Sequence, residues 1–151
     1  MKTLGNILWH FPFFGFITAT IVFLLGSLLT ITVVAAPIGL GLIQYSKFLF
    51  WPFGNAMVSK SSLNIEQNKY WALYSKIVMI LYLPIGLIFL ICGVLQVAGL
   101  FISIVGIPCA IVIAKSLGTY LNPVNKVCVP SAVVDELDKR EAQKKVDQYL
   151  N

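Results

Sequence analysis

The chain has 151 residues, of which 58% are hydrophobic and 11% charged, with a formal net charge of +5. A mean hydropathy of +0.87 puts it outside the range of water-soluble globular domains and inside that of membrane proteins. Its three cysteines have no paired spacing, which argues against a disulfide framework or a thiolate metal site, and no phosphate-binding glycine loop, dinucleotide fingerprint or His-Glu zinc signature is present.

After Lys2, residues 3 to 46 contain no Asp, Glu, Lys or Arg. This exceeds the roughly 20 apolar residues that a helix needs to cross a bilayer, and also the short apolar core of a cleaved leader. The only small-residue site, Ala35-Ala36, precedes Pro37, a poor start for a mature chain. A long apolar helix is predicted from about Trp9 to Ala35, followed by a break at Ala36-Pro37-Ile38-Gly39 and a shorter helix to Phe53. Pro disfavours helical geometry in the residue before it and Gly adds backbone freedom, so Pro37 and Gly39 mark a bend. Ser59-Lys60-Ser61-Ser62-Leu63-Asn64 forms a polar loop.

Residues 77 to 114 are again free of charge. A second long helix is predicted from about Ile80 to Val105, a second bend at Gly106 and Pro108, and a second short helix to about Tyr120. After Pro130, the residues Val133, Val134, Leu137, Val146, Tyr149 and Leu150 recur at roughly helical spacing, and Glu136/Arg140 and Glu141/Lys145 are i,i+4 pairs of opposite sign. That pattern predicts an amphipathic tail helix.

The two halves repeat each other without a gap. Pro37 and Pro52 recur 71 positions later as Pro108 and Pro123, Gly15 as Gly86, Leu24 as Leu95, Val34 as Val105 and Val58 as Val129. The expected fold is therefore an all-α membrane protein of two tandem helical hairpins plus the tail helix. Its expected parts are a first membrane repeat at 1–58, a polar cytoplasmic loop at 59–75, a second membrane repeat at 76–129 and a cytoplasmic tail at 130–151.

Charge orients this arrangement. Before Pro130 the chain carries seven lysines against one acid, Glu66. If each unit returns to its starting side, Lys2, the Lys60/Lys69/Lys76 loop and the tail share one face, and the uncharged bends share the other. Lysine and arginine collect on the cytoplasmic side, so both termini are expected there. A short helix of about 15 residues reaches only some 22 Å, so it is expected to be tilted, re-entrant or partly inserted.

Candidate chemistry is sparse. His10 is the sole histidine and reads as an interfacial residue beside Trp9; with one acid outside the tail, neither a serine nucleophile nor a lipid-cleaving enzyme has an evident base. No catalytic residue, cofactor, metal or nucleic-acid partner is expected. Ionisable groups inside membrane segments are costly and often functional, which singles out Lys47 and Lys115. Lys115 is the repeat mate of Gln44, so both units carry a polar residue at one deep position. These side chains either satisfy backbone groups or line a polar path with Gln96, Thr18 and Thr32. A path without an intramembrane carboxylate favours small anions, and four short segments enclose one only as a homo-oligomer. The alternative is a membrane scaffold that binds a partner through its tail.

Tyr45-Ser46-Lys47-Phe48-Leu49-Phe50-Trp51-Pro52-Phe53-Gly54, together with Ile104-Val105-Gly106-Ile107-Pro108, Lys115 and the opening Gly5-Asn6-Ile7-Leu8-Trp9, resembles the YccF family of small bacterial inner-membrane proteins. The second unit departs from the family pattern at Asn122-Pro123-Val124-Asn125 and at Ala110. The resemblance implies a duplicated, multi-pass domain in the bacterial inner membrane, and it assigns no activity to any residue.

Overall fold

The structure, a computed structural model, describes residues 2–11 and 13–150; Met1, Pro12, Asn151 and the side chain of Leu150 lie outside that description. Helix α1 spans Lys2–His10, α2 Gly15–Ile31 and α3 Ala36–Phe50. Strand β1 (Asn55–Ser59) leads through a 3₁₀ turn at Lys60–Leu63 to α4 (Lys69–Phe101). A further 3₁₀ turn, Ile104–Gly106, precedes α5 (Ile107–Leu121), strand β2 (Lys126–Pro130) and α6 (Ser131–Leu150).

The fold is helical, and it packs as two hairpins, α2 on α3 and α4 on α5. Three boundaries differ from the sequence reading. The first long helix, expected from about Trp9, begins at Gly15 as α2, and Trp9 and His10 end a separate helix α1 that meets it at a bend of 78°. The second starts at Lys69, so the loop expected at 59–75 is shorter and α4 runs 33 residues, or about 50 Å. The third difference is an antiparallel ribbon of β1 and β2, pairing Asn55 with Pro130, Met57 with Cys128 and Ser59 with Lys126.

That ribbon has internal symmetry. The bounds of α3 and β1, moved by 71 positions, are the bounds of α5 and β2, and the central pair Met57 and Cys128 are repeat mates. A local two-fold axis therefore runs through the middle of the ribbon. The halves also touch beyond the ribbon: Tyr45 donates a hydroxyl hydrogen bond to the Tyr120 hydroxyl (3.2 Å), Gly41 abuts the Pro123 carbonyl and Lys115 reaches Pro52. The first half of α3 thus lies beside the end of α5, and the end of α3 lies beside the middle of α5.

Helices α3 and α5 form the middle of three layers. On α3, Gly26 of α2 fits against Gly39, Leu42 and Ile43, whereas Gly41 and Gln44, on the opposite side of the helix, meet Pro123 and β2. On α5, Leu117 and Tyr120 take Gly93 of α4 while Lys115 turns to the ribbon side. The core lies along this middle layer and includes Trp9, Ala19, Tyr45, Phe48, Leu49 and Val112. Phe48, Pro52 and Pro123 are fully buried. Outside the core, α2 and α4 expose bulky apolar side chains such as Phe23, Leu24, Leu28, Leu81, Ile88 and Leu95.

The bends are built differently from expectation. Pro37 and Pro108 occupy the first turns of α3 and α5, where a missing N–H leaves no helical bond unmade. Gly39, however, lies inside α3, and no described glycine has positive φ. A Cβ there would strike Thr30 and the Gly26 carbonyl, while one at Gly106 would strike the Leu100 carbonyl. Both glycines serve close approach. The left-handed residue in the first bend is instead Val33, at φ 60, a costly geometry for a β-branched side chain. The Tyr74 hydroxyl, from α4, shares its one hydrogen between the Val34 carbonyl at 2.7 Å and the Val33 carbonyl at 3.0 Å.

Tyr74 also fixes where the bends are. The first bend sits beside the start of α4 and the second follows Phe101 at its end, about 40 Å away along the helix axis. The bends therefore do not lie together at one end of a bundle, as the hairpin reading from charge had them.

Candidate functional site

The polar residues singled out by the sequence converge on the seam between the middle helices and the ribbon. Gln44 points from α3 so that its Oε1 accepts the Cys128 N–H at 3.3 Å. Lys115, its repeat mate, donates from Nζ to the Pro52 carbonyl at 3.2 Å and sits 5.8 Å from the Phe53 ring centre. Each unit thus uses its polar residue to tie down backbone that follows the other unit's short helix. A backbone group buried without a partner costs about 1 to 3 kcal/mol, so these side chains have a structural task.

Lys47 is exposed on the outer side of α3, within electrostatic reach of the Cys128 thiol. Burial pushes that thiol above its usual range, and the Lys47 charge opposes the shift in part. Burial also holds the Lys126 ammonium below its usual range. Lys126, Lys60, Gln44, Asn125 and Trp71 border a cleft of about 100 Å³ at the Ser59 end of the ribbon. There Gln67 Nε2 donates to Asn125 Oδ1 at 3.3 Å.

Gln96 and Thr18 lie elsewhere. They border a cavity of about 230 Å³ between the hairpins, with Tyr45, Cys109, Val112 and Tyr120 among its walls. Thr32 spends its hydroxyl on the Leu29 carbonyl at 2.7 Å. Gln44 and Gln96 therefore face different spaces, and Lys115 points to the ribbon edge. His10 reaches the Phe50 carbonyl through Nε2 at 2.9 Å, and its Nδ1 is buried without a partner. Among the described residues, no group of three or more His, Cys, Asp or Glu side chains could hold a metal.

Sequence reasoning missed the ribbon and the anchors around it. Asn6 Oδ1 accepts the Phe53 N–H at 3.1 Å, and Trp9 Nε1 donates to the Leu49 carbonyl at 2.9 Å. The available signal was Met57-Val58 and Val127-Cys128-Val129, short runs containing β-branched residues flanked by Gly54-Asn55 and Asn122-Pro123-Val124-Asn125.

At the tail, Ser131 N–H binds the Gly54 carbonyl at 2.9 Å, so α6 follows β2 with no linker. Its first turns rest on the ribbon through Ser131, Val134 and Leu137, and further along it shares a cleft with Ser61, Ser62 and Asn64. Glu136 and Arg140 pair at 3.2 Å, and residues 141–149 are exposed.

Long apolar helices whose side chains face outward define an integral membrane protein. More particularly, residues 4–55 match the family model of the YccF inner membrane component domain. The match covers α1 from Leu4, α2, α3 and the start of β1, and it supports a location in the bacterial inner membrane. No curated protein and no solved structure matches the chain.

Proposed function

We propose that this protein is a non-catalytic membrane platform that presents α6 to a cytoplasmic protein partner. The observation that carries this reading is the rigid joint at Pro130-Ser131: β2 is paired to β1, pinned to α3 through Gln44, and continues directly into a 20-residue helix. A tail that served only solubility has no need of a fixed direction. A photo-crosslinking residue in place of Tyr149 should give one discrete heteromeric adduct in cells, and a Gly-Gly-Ser insertion after Pro130 should remove it while membrane insertion persists. An adduct indifferent to the insertion, or no adduct, refutes the platform.

A second reading, a homo-oligomeric passage for small anions, draws support from the cavity bearing Thr18 and Gln96. It also draws on the lone acid, Glu66, before Pro130. Liposomes holding the folded oligomer should then leak chloride, and Gln96→Leu should slow the leak several-fold.

A further inference from the structure

We propose that the cleft at the Ser59 end of the ribbon is a binding site for one phosphate group, held between Lys60 and Lys126. Such a site stands whatever the role of α6, and it is separate from the cavity bearing Thr18 and Gln96.

The polar side chains that border this cleft can donate but have little left with which to accept. Lys60 and Lys126 bring two ammonium groups, and the Trp71 indole N–H is a donor only. Gln44 spends its Oε1 on the Cys128 N–H, which leaves its amide hydrogens without a protein acceptor among the described residues. Asn125 likewise accepts from Gln67 through Oδ1 and keeps its amide hydrogens free among the described residues. No Asp or Glu borders the cleft, and among the described residues neither lysine has an ion pair. Glu66, in the loop before α4, is exposed. Burial holds Lys126 below its usual range, the direction taken by a cation that has lost water and gained no counter-charge.

The ribbon itself needs neither lysine. Under the local two-fold, Lys126 corresponds to Asn55 and Lys60 to Ser131, both uncharged, and the strands are paired through to that end as well. There the counterpart of Gln44 is Lys115, whose ammonium is already spent on the Pro52 carbonyl. Two cations and free amide donors therefore meet at one end of the ribbon only.

The cleft is also held in shape before anything binds. Ser59 pairs with Lys126, and the Lys60 N–H donates to the Asn125 carbonyl at 2.9 Å, so the two lysines stand on adjoining chains. Trp71 leans on Tyr74, with ring centres 5.9 Å apart, and Tyr74 is bonded to the first bend. Little ordering remains to oppose binding. A volume of about 100 Å³ has room for roughly three waters, the scale of one tetrahedral oxyanion and too little for a nucleoside. A phosphomonoester carries about −1.5 to −2 charges at neutral pH and three strong acceptor oxygens, which match two ammonium groups and their neighbouring donors. Inorganic phosphate from water and the phosphomonoester head of a membrane lipid share this chemistry.

The test reads lysine acetylation by mass spectrometry in the full, unsubstituted chain. One arm uses protein in uncharged detergent at low salt, titrated with inorganic phosphate. The other uses phosphatidylcholine nanodiscs with and without phosphatidic acid. The bound probe should slow acetylation of Lys60 and Lys126 several-fold and saturably, and leave the exposed Lys139 of α6 unaffected. Protection by inorganic phosphate assigns a soluble source, and protection by phosphatidic acid alone assigns a lipid headgroup; both support the site. In calorimetry or nanodisc titration, Lys60→Met and Lys126→Met should each weaken binding by about tenfold or more, because each removes a charge-assisted hydrogen bond. Lys139→Met should leave it unchanged. Absence of saturable protection by either probe overturns the proposal. So does equal protection of Lys139, which would show only the pull of the chain's net positive charge, and so does undiminished affinity in the folded double variant.

Discussion

The two hairpins share a register but not a shape, and the difference lies in two residues. In the first unit, Trp9 and His10 carry ring nitrogens that reach the Leu49 and Phe50 carbonyls at the end of α3. Their mates are Ile80 and Leu81, which cannot make such bonds. The first unit therefore folds α1 back over its own short helix, with Phe14 in the left-handed region at the corner and Gly15 leaving room for the indole. The second unit continues as one helix even though Pro84, the mate of Phe13, lies inside α4. Proline at this position weakens a helix without ending it when no side chain pulls the flanking turn away. Specific polar anchors, more than helix breakers, decide where these apolar segments bend.

The largest effect should come from giving the first unit the second unit's residue at Gly41→Val. Its mate is Val112, yet a Cβ at position 41 would overlap the Pro123 carbonyl, so the substitution must push two backbones apart. Overpacking of this kind costs about 3 kcal/mol or more, and folded protein should be lost from size-exclusion profiles in detergent. The reciprocal Val112→Gly should leave a cavity and lower the melting temperature without preventing folding.

Trp9→Ile tests the origin of the bend directly. It removes a buried aromatic and leaves the Leu49 carbonyl unpaired, a loss of about 3 kcal/mol. If the indole holds α1 aside, spin labels at Leu4 and Leu24 should also move apart as α1 swings toward the line of α2. An unchanged separation with lowered stability would show that the bend has another cause.

Smaller effects should follow at the seam. Gln44→Leu frees the Cys128 N–H and should speed its hydrogen exchange about tenfold, the equivalent of about 1.4 kcal/mol, with Lys115→Met doing the same for the Pro52 turn in melting temperature only. Because burial raises the Cys128 thiol, its alkylation should begin at higher pH than that of an ordinary thiol. Lys47→Met removes the opposing charge and should push that onset higher still. The smallest change belongs to Glu136→Gln: its ion pair with Arg140 is well exposed, and melting temperature should hardly move.

How much was legible in the chain varies by element. The charge-free stretches and the prolines 71 residues apart located four apolar helices, because hydropathy over 20 residues survives any tertiary context. The ribbon was hidden: five residues such as Asn55-Ala56-Met57-Val58-Ser59 show no clean alternation, and their partners lie 67 to 75 positions away. Gly39 was read as a hinge because sequence cannot distinguish a glycine needed for φ from one needed for closeness. Gln44 and Lys115 were recognised as a matched pair, but their partners, the Cys128 N–H and the Pro52 carbonyl, are backbone groups that carry no side-chain signature.

The sequence by itself determined that this chain lives in a membrane, that it is built from two units in one register, and that its lysines before the tail outnumber acids seven to one. These are sums along the chain, fixed by composition and spacing. Only the tertiary structure decided that α3 and α5 run past each other in opposite senses and that the bends point apart. It likewise decided that Val33, held by Tyr74, takes the strain. Those choices depend on which backbones approach closely and which carbonyls find a donor, and such pairings exist only once distant segments have met.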